Sequence, residues 1–435
     1  MNSARRKILV SAYACEPGKG SEPGVGWNWV QQIAQFHDVW VITRANNRRV
    51  IDSALQERPL PNVRWSYFDL PSWLRVWKKG QRGARLYYYL WQIGACLKAR
   101  KLHESEGFDL THHVTFGNYW LPSFLPFVGV PFVWGPLGGA ESAPQAFYRS
   151  LGLRGVGYEE LRSCARWLGE KNPVVGFSAR NAGVVLAKAN ETAARLRALG
   201  ASRVELCSEA GIANDEFARL SALPLRRNQP FRLVSIGRLL AWKGFHLGLK
   251  AFAQLQRKFP ESEYYLIGNG PERHRLEKLA RGLGVARQVR FYGILPRDEV
   301  LQRLTECDVL IHPSLHDSGG WVCLEAMAAG RPVVCLKLGG PALQVTDETG
   351  FPVPAMTPQQ VIEEMAAAMI RLAQDLSLRH EMGHAARQRV REKFLWQSKA
   401  LVVEQLYSEI LARASGLAWV SYPQSNPLPT REREG

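Results

Sequence analysis

The sequence lacks any apolar run of the roughly 18 to 20 residues that a membrane-spanning helix needs. Its nearest candidate, residues 124–134 (FLPFVGVPFVW), is short and broken by prolines, and we predict a buried strand there. The amino terminus carries basic residues, but only a strand-length apolar run and no A-x-A-type cleavage site. We therefore expect no signal peptide and a cytoplasmic protein.

Cysteine pairs are also missing. The seven cysteines form no C-x-x-C motif and leave one over, a pattern typical of reduced, mostly buried thiols. Neither a disulfide framework nor a zinc site is predicted. With 46% hydrophobic and 22% charged residues and no low-complexity tract, the composition is that of an ordinary globular protein.

Acidic residues are few in the first half of the chain. Residues 1–200 contain 26 Lys and Arg against 14 Asp and Glu, which accounts for most of the net charge of +17. Within them, the segment 71–101 has eight basic residues, six aromatic residues and no acidic residue. The charge predicts an anionic partner, and phospholipid headgroups, a phosphate-bearing substrate and nucleic acid all fit it. The interleaved Trp and Tyr fit a membrane interface; the alternative is a solvated basic helix whose aromatic side chains face the core.

The length of 435 residues predicts two domains. Short apolar runs alternate with stretches of helical length, first from residue 7 and again from residue 231, which predicts an α/β fold with two parallel sheets. The basic, proline-bearing stretch 221–230 is the best linker candidate. We predict a first domain at residues 1–222, a second at 223–392, a helix at 393–412 that packs back on the first domain, and a loose tail at 413–435.

One segment combines the features of a ligand site. In HPSLHDSGGWVCLEAMAAGRPVV (312–334), a buried strand ends, a Gly319-Gly320 loop follows, and a helix is predicted to start near residue 321. Free backbone N–H groups and the positive end of the helix dipole meet at such a loop, so it predicts a phosphate site. Glu325, expected in the first helical turn, either caps the helix or accepts hydrogen bonds from two ligand hydroxyls. With Asp317 before the glycines, the pattern suits a nucleotide-sugar.

The same segment resembles the E-x7-E element of glycosyltransferase family 4, with Asp317 in place of the first glutamate. The resemblance implies the GT-B fold, in which two Rossmann-like doubly wound domains face each other across a cleft. It also implies a retaining, metal-independent transfer, so no metal or other cofactor is expected. YACEPG and VWGPLGGAE in the first half also resemble a bacterial polysaccharide subset of the family. The other motifs of the family follow in order: SIGRLLAWKGFHLGLKAF (235–252), YYLIGNGPERHRLEKLA (264–280), VRFYGILPRDEV (289–300), CDVLIHPS (307–314) and LGGPALQVTDETGFPV (338–353).

The resemblance also implies roles for individual residues. Arg238 and Lys243 grip the donor diphosphate, Glu325 binds the ribose hydroxyls, and Asp317 binds a hydroxyl of the transferred sugar, whose identity its shorter side chain leaves open. No D-x-D motif occurs, so the two cations and the helix dipole are expected to neutralise the departing diphosphate in place of a metal ion. Further donor contacts, for whose glycines turn geometry is the alternative, are assigned to Gly237, Gly268, Asn269, Gly270, Gly293, Ile294, Ser318, Gly319 and Gly320.

The first half departs further from the family pattern. ACEPGKGSEPGVGWNWV (14–30) enters a helix where the family places a glycine-rich loop that touches donor phosphate and acceptor. Gly24 and Gly26 are assigned to the donor, and Glu22 either to the acceptor or to a helix cap. The segment VELCSEAGIANDEF (204–217) replaces the family's P-N-G-V turn and receives no role.

FDLTHHVTFGNYW (108–120) carries part of the family's D-x-x-H-x-H element. His112 matches the first histidine and is assigned to the acceptor side. The second position holds Val114, so His113, given a catalytic role, or Thr115 is expected to fill it. For the histidines, packing at the strand end is the alternative to a sugar contact.

Together these features predict a glycosyltransferase that moves a sugar from a nucleotide-diphosphate donor, with UDP, GDP and ADP all open, to a saccharide or lipid-linked saccharide in bacterial surface polysaccharide biosynthesis. It is expected to lie peripherally on the anionic inner face of the cell membrane. One alternative is a GT-B nucleotide-sugar epimerase, which would form product without an acceptor. From another class, a basic nucleic-acid-binding protein would explain the charge, but no recognised binding motif accompanies it, so no nucleic acid is predicted as a partner.

Overall fold

The computed structural model describes residues 5–75, 83–225, 230–414 and 416. Parts of the predicted linker (226–229), of the basic segment (76–82) and most of the predicted tail lie outside the described residues. The first sheet contains β1 (Lys7–Ala12), β2 (Asp38–Thr43), β3 (Val63–Tyr67), β4 (Leu110–Thr115), β5 (Phe132–Leu137), β6 (Val184–Ala187) and β7 (Val204–Leu206). The second sheet contains β8 (Arg232–Ile236), β9 (Glu263–Ile267), β10 (Val289–Gly293), β11 (Val309–His312), β12 (Val333–Leu336) and β13 (Gly350–Val353).

Helices connect the strands. Those that follow strands of the first sheet are α1 (Ser21–Phe36), α2 (Arg48–Glu57), α3 (Ala84–Glu106), α4 (Tyr148–Glu170), α5 (Pro173–Asn181), α6 (Asn190–Ala198) and α7 (Asn214–Ser221). Those that follow strands of the second sheet are α8 (Phe245–Gln256), α9 (Arg273–Gly282), α10 (Arg297–Thr305), α11 (Trp321–Ala328), α12 (Pro341–Gln344), α13 (Pro358–Gln374), α14 (Leu376–Lys393) and α15 (Trp396–Ala414).

Both sheets are parallel and doubly wound. Their strand orders are β3-β2-β1-β4-β5-β6-β7 and β10-β9-β8-β11-β12-β13, and every pair of neighbouring strands is parallel. The predicted α/β class with two parallel sheets is thus confirmed. The order reverses between β1 and β4 and again between β8 and β11, and ligands of such sheets bind outside the carboxyl ends of the strands at these points.

The core lies on both faces of each sheet, as covered parallel sheets require. Strand β1 is apolar along almost its whole length, and five of its six residues are buried. Two apolar clusters flank the first sheet and two flank the second. Three aromatic residues of the basic segment, Tyr87, Tyr88 and Trp91, are fully buried on α3, whereas Trp73 is 71% exposed. The helix therefore uses most of its described aromatic side chains for packing.

The carboxyl-terminal helix α15 returns the chain to the first sheet. It packs along α1, and its buried side chains Trp396, Tyr407 and Ile410 belong to the same apolar cluster as β1. The Tyr407 hydroxyl lies 2.5 Å from His112 Nδ1.

The predicted strand at residues 124–134 is wrong in its first part. Leu125–Val128 forms a short 3₁₀ turn, and the strand begins only at Phe132. Pro126 lies inside that turn and has no N–H to donate to a neighbouring strand.

Candidate functional site

The predicted phosphate loop lies at the reversal point of the second sheet. Strand β11 ends at His312, and residues 313–320, which we call the donor loop, lead into α11 at Trp321. Beside it, β8 ends at Ile236 and the chain reaches α8 through a 3₁₀ turn at Ala241–Lys243. Because β8 and β11 are paired, parallel neighbours, the two connections meet at the carboxyl ends of these strands.

Asp317 holds this region together. Its Oδ1 accepts hydrogen bonds from the backbone N–H groups of Gly319 (3.2 Å) and Gly320 (3.1 Å). Its Oδ2 accepts from Lys243 Nζ at 2.5 Å and from His312 Nε2 at 3.0 Å. Burial by itself would raise the pKa of Asp317, but the Lys243 ammonium and the His312 hydrogen bond outweigh it and hold that pKa well below its usual range. The carboxylate is therefore ionised at neutral pH and used inside the protein.

Two expectations for this loop change as a result. The amides of Gly319 and Gly320, predicted to be free for phosphate, already donate to Asp317. Asp317, predicted to bind the transferred sugar, instead faces the loop and Lys243. The shorter Asp side chain reaches the backbone two and three residues ahead, as Asp commonly does in turns.

Arg238 differs from Lys243 in its surroundings. Its side chain is exposed, and its guanidinium makes no hydrogen bond or ion pair within the part of the chain that the structure describes. It follows Gly237 just after the end of β8, so it lies at the same carboxyl-terminal end of the sheet as Lys243. The two predicted diphosphate cations thus lie at the same end of the second sheet. Lys243 is paired with Asp317, whereas Arg238 has no side-chain partner among the described residues.

The predicted nucleoside glycines form a tight turn cluster. Gly237 N donates to Ile267 O, and Gly268 N donates to Gly293 O at 2.7 Å. A Cβ on Gly268 would lie 1.9 Å from Gly237 O, and one on Gly270 would lie 2.4 Å from a backbone oxygen, so turn geometry alone requires glycine at both. At their borders, Asn269 Oδ1 accepts from the Gly270 N–H, and Ile294 is 80% exposed.

Glu325 lies in the second turn of α11, because the helix begins at Trp321. The expectation that it lies in the first turn is therefore wrong, and of its two alternatives helix capping is not supported. Its Oε1 accepts from Arg297 Nη2 at 3.0 Å, and Arg297 also contacts Glu216. Burial raises the pKa of Glu325, and the charge of Arg297 opposes that rise.

Gly24 and Gly26 let α1 pack closely against the segment that precedes it. Both are buried within the helix; a Cβ on Gly24 would lie 1.9 Å from Lys19 O, and one on Gly26 would lie 2.1 Å from Ala14 O. Neither is among the residues that line the cavity between the two halves of the chain, and close packing alone accounts for glycine at both positions. Glu22 is different. Its Oε1 accepts a hydrogen bond from Gly117 N at 2.7 Å, just after the end of β4. Burial raises the pKa of Glu22.

The two histidines of β4 are core residues. His112 Nδ1 contacts Tyr407, and its Nε2 contacts Gly135 O at 2.7 Å. His113 lies 3.1 Å both from Tyr88 Oη and from Ser123 Oγ. Burial lowers the pKa of His112 to about 4 and that of His113 to about 3.

Because both ring nitrogens of each histidine face protein atoms, the structure favours strand-end packing over the predicted sugar contacts. Thr115, the other residue considered for the second position, is also engaged. It exchanges hydrogen bonds with the backbone of Ala14.

A cavity of about 300 Å³ lies between the two halves. Glu22, Lys188 and Glu209 line its wall on the side of the first sheet, and His316 and Ser318 of the donor loop line the opposite side. Lys188 forms a buried ion pair with Glu209, and Ser318 Oγ donates to Glu209 Oε1 at 3.2 Å. The sequence motifs missed Lys188 and Glu209; only the departure of residues 204–217 from the family turn marked the region.

Helix α4 also contributes to the cleft. Tyr158 stacks on Trp242 with ring centroids 4.5 Å apart, and the buried Glu159 lies 3.5 Å from His316 Nδ1. Burial would raise the pKa of Glu159, but the interactions with His316 outweigh it and lower that pKa. The helix therefore joins the first half of the chain to the turn that carries Lys243.

Two further findings concern the described residues only. They contain no cluster of three or more His, Cys, Asp or Glu side chains arranged to hold a metal ion. None of their helices combines the length and the apolar character needed to cross a bilayer.

Residues 220–389 match the family model described as glycosyl transferases group 1. A glycogen synthase from Mycobacterium tuberculosis is 34% identical over 182 residues, which cover 42% of this chain and 43% of that protein. The lipopolysaccharide core biosynthesis glycosyltransferase LpsE from Rhizobium meliloti is 34% identical over 181 residues, covering 41% of this chain and 49% of that protein. The matched segment spans less than half of each of these relatives.

Similarity to solved structures extends along nearly the whole chain. A sucrose-phosphate synthase from Thermosynechococcus elongatus has a TM-score of 0.62 at 21% identity and covers 94% of this chain and 100% of its own. Anabaena HepE in complex with UDP has a TM-score of 0.57 at 17% identity and covers 95% of this chain and 100% of its own. Residues 220–389 are therefore similar to the glycosyl transferases group 1 family, and the chain has the GT-B fold.

Proposed function

We propose that the chain is a retaining glycosyltransferase that takes a sugar from a nucleotide-diphosphate donor and needs no metal ion. The observation that carries the proposal is the meeting of Lys243 and Arg238 with the donor loop at the reversal point of the second sheet. The match of residues 220–389 to the group 1 family and the UDP complex of a neighbour with the same fold support it.

The chemistry needs positive charge at the carboxyl ends of β8 and β11, where the diphosphate is expected to bind. When the bond between the anomeric carbon and the phosphate oxygen breaks, the diphosphate leaves with additional negative charge. Preorganised cations at that position stabilise the transition state because they need no reorganisation. Lys243 keeps a donor for this task, since an ammonium has three N–H groups and Asp317 uses one. Arg238 adds a planar group suited to phosphate.

Retention follows if the acceptor attacks from the face that the diphosphate leaves. The acceptor oxygen then bonds to the anomeric carbon of an oxocarbenium-like ion pair, and its proton passes to the departing phosphate oxygen. No dedicated base is needed. We assign the acceptor to the cleft cavity, where Glu22 lies on the side of the first sheet. A saccharide acceptor of bacterial surface polysaccharide agrees with the name of the LpsE relative.

We further propose that the first half docks on an anionic membrane, which suits a lipid-linked acceptor. One face of α4 exposes Leu153 (94%), Leu161 (71%), Trp167 (58%) and Leu168 (63%), and α3 exposes Leu97 (64%). The exposed Lys171 lies over the Trp167 ring, and the exposed Arg154 is next to Leu153 in the chain. Exposed apolar side chains flanked by Lys and Arg bind lipid surfaces that carry negative charge.

Co-sedimentation with vesicles of phosphatidylglycerol and phosphatidylcholine tests the membrane proposal. Binding should rise with the anionic fraction and fall in a variant with Leu161→Ser and Leu168→Ser. Equal binding to vesicles of pure phosphatidylcholine would contradict it.

The donor proposal is tested by thermal unfolding with UDP, GDP and ADP, and then with their sugars, because a ligand of the folded state raises its melting temperature. The best donor is then incubated with and without saccharide acceptors. Release of nucleoside diphosphate that depends on the acceptor supports transfer, whereas an isomerised nucleotide-sugar formed without any acceptor would support the epimerase instead. If no nucleotide raises the melting temperature, the proposal is wrong.

A further inference from the structure

Glu209 occupies a place between the two halves that no motif predicted. It belongs to the connection after β7, and its carboxylate lines the cleft cavity. Its Oε2 pairs with Lys188, which follows β6, while its Oε1 accepts from Ser318 of the donor loop at 3.2 Å. A Cβ on Gly319 would lie 3.1 Å from the same Oε1. Glu209 therefore touches the loop that the donor is expected to contact.

The hydrogen-bond capacity of the two carboxylates differs. A carboxylate offers about four acceptor positions. Asp317 uses all of them on Lys243, His312, Gly319 and Gly320, so it has none left for a sugar hydroxyl. Glu209 uses two, on Lys188 and Ser318, and it faces a cavity.

The other two carboxylates of the cavity are less suited to accept hydrogen bonds from the donor sugar. Glu141 is 2% exposed and accepts from Gly139 N and from Thr192 Oγ1. Glu22 accepts from Gly117 N on the acceptor side. Among these three carboxylates, the contact with Ser318 distinguishes Glu209.

We propose that Glu209 accepts hydrogen bonds from hydroxyls of the transferred sugar and thereby selects the donor sugar, with Lys188 holding its carboxylate in place. The proposal rests on the proposed function and deepens it. Asp317 then acts as a positioning residue for Lys243 and the loop, and the sugar contact that its shorter side chain cannot supply comes from the segment that replaces the family turn.

The test compares Glu209→Gln with the native chain. The probe is whichever of UDP-glucose, UDP-N-acetylglucosamine, GDP-mannose and ADP-glucose raises the melting temperature most, together with its nucleoside diphosphate and its analogues lacking one sugar hydroxyl. The substitution should weaken binding of the nucleotide-sugar about 10- to 100-fold, since hydrogen bonds to a charged group are lost. Binding of the nucleoside diphosphate should stay within about twofold, because the diphosphate site is untouched.

The deoxy analogues identify the hydroxyl. In the native chain, at least one analogue should bind weaker by a similar factor, and in Glu209→Gln the same analogue should show no further loss. Glu205→Gln is the matched control, because Glu205 lies on β7, pairs with Arg203 and is 45% exposed in its side chain. The double variant Lys188→Met with Glu209→Gln covers the case in which an unpaired buried lysine unfolds the single variant.

Two results would overturn the inference. Equal weakening of nucleoside diphosphate and nucleotide-sugar would make Glu209 a support of the loop, and unchanged binding of both would give it no part in the site. Failure of the proposed function looks different: the native chain itself would then bind none of the nucleotides.

Discussion

Lys243 Nζ lies 2.5 Å from Asp317 Oδ2, although 74 positions separate the two residues in the chain. The pair joins the turn after β8 to the donor loop after β11, and both side chains are about four-fifths buried. The cation expected to grip the diphosphate is therefore also the anchor of the loop, so we expect substitutions at the two positions to have different effects.

Replacing either diphosphate cation should impair transfer. Arg238→Ala and Lys243→Ala should each lower kcat/KM about 100-fold or more, as removal of a preorganised charge contact does. Arg238→Ala should leave the melting temperature unchanged, because the described structure gives its guanidinium no partner. Initial rates of nucleoside diphosphate release measure the effect, with Arg257→Ala at the end of α8 as an exposed control. Near-normal turnover in Arg238→Ala would remove it from the site.

Asp317→Asn should weaken binding of the nucleoside diphosphate and of the nucleotide-sugar by similar factors. The amide cannot hold Lys243 and two backbone N–H groups as the carboxylate does, so the whole loop loses its position. We expect the free energy of unfolding to fall by about 1–3 kcal/mol. Isothermal titration and urea unfolding measure the two effects. Selective loss of affinity for the nucleotide-sugar would instead return Asp317 to the sugar contact that the family resemblance implies.

Removing divalent metal should not stop transfer. Side chains and the helix dipole are proposed to neutralise the diphosphate, so the rate after dialysis against a chelator should stay within about twofold of the untreated rate. The same assay with added Mg²⁺ and Mn²⁺ is the comparison. Loss of activity on chelation and its recovery with a metal ion would contradict the proposed mechanism.

Gly26→Ala should act through packing. The added Cβ would meet Ala14 O at 2.1 Å and Thr115 Cγ2 at 3.1 Å, so α1 must shift and stability should fall by about 1–3 kcal/mol. Gly282→Ala, at the end of α9, is the matched control because a Cβ there meets nothing within 4 Å. That control should be stabilised by about 0.5–1 kcal/mol. A Gly26→Ala protein of native stability that binds nucleotide weakly would restore the predicted donor contact.

The buried histidines should make stability fall in acid. Their pKa values of about 4 for His112 and about 3 for His113 lie below the ordinary 6.5. Below pH 6.5 the unfolded chain therefore binds protons that the folded chain does not, and the free energy of unfolding decreases as the pH falls toward 4. Each histidine adds a slope of about 1.4 kcal/mol per pH unit.

Urea unfolding between pH 7 and pH 4.5 measures this slope. His113→Asn should reduce it by up to about 1.4 kcal/mol per pH unit, because His112 and the buried His246 still contribute. The substitution His274→Asn, at an exposed position, should leave it unchanged. If the slope is the same in all three proteins, His113 is charged in the folded state, and its buried setting is described wrongly.

Local patterns were enough for most of the architecture. Strands such as β1 and β11 are short continuous apolar runs because both of their faces are covered, and such runs can be read without knowing any partner. The start of α11 at Trp321 follows from the glycine pair before it. The 3₁₀ turn at Leu125–Val128 was missed because an apolar composition alone does not distinguish a buried turn from a strand.

The sequence by itself determined the two α/β halves and the motifs at the carboxyl ends of the strands in the second sheet, because hydrophobic spacing and helix starts depend on neighbours within a few residues. Only the tertiary structure decided what each carboxylate and histidine faces. Ser318 meets Glu209 across 109 positions, and Tyr407 meets His112 across 295. Whether Asp317 turns toward a sugar or toward Lys243 depends on which groups folding brings within hydrogen-bond distance, and no local pattern contains that distance.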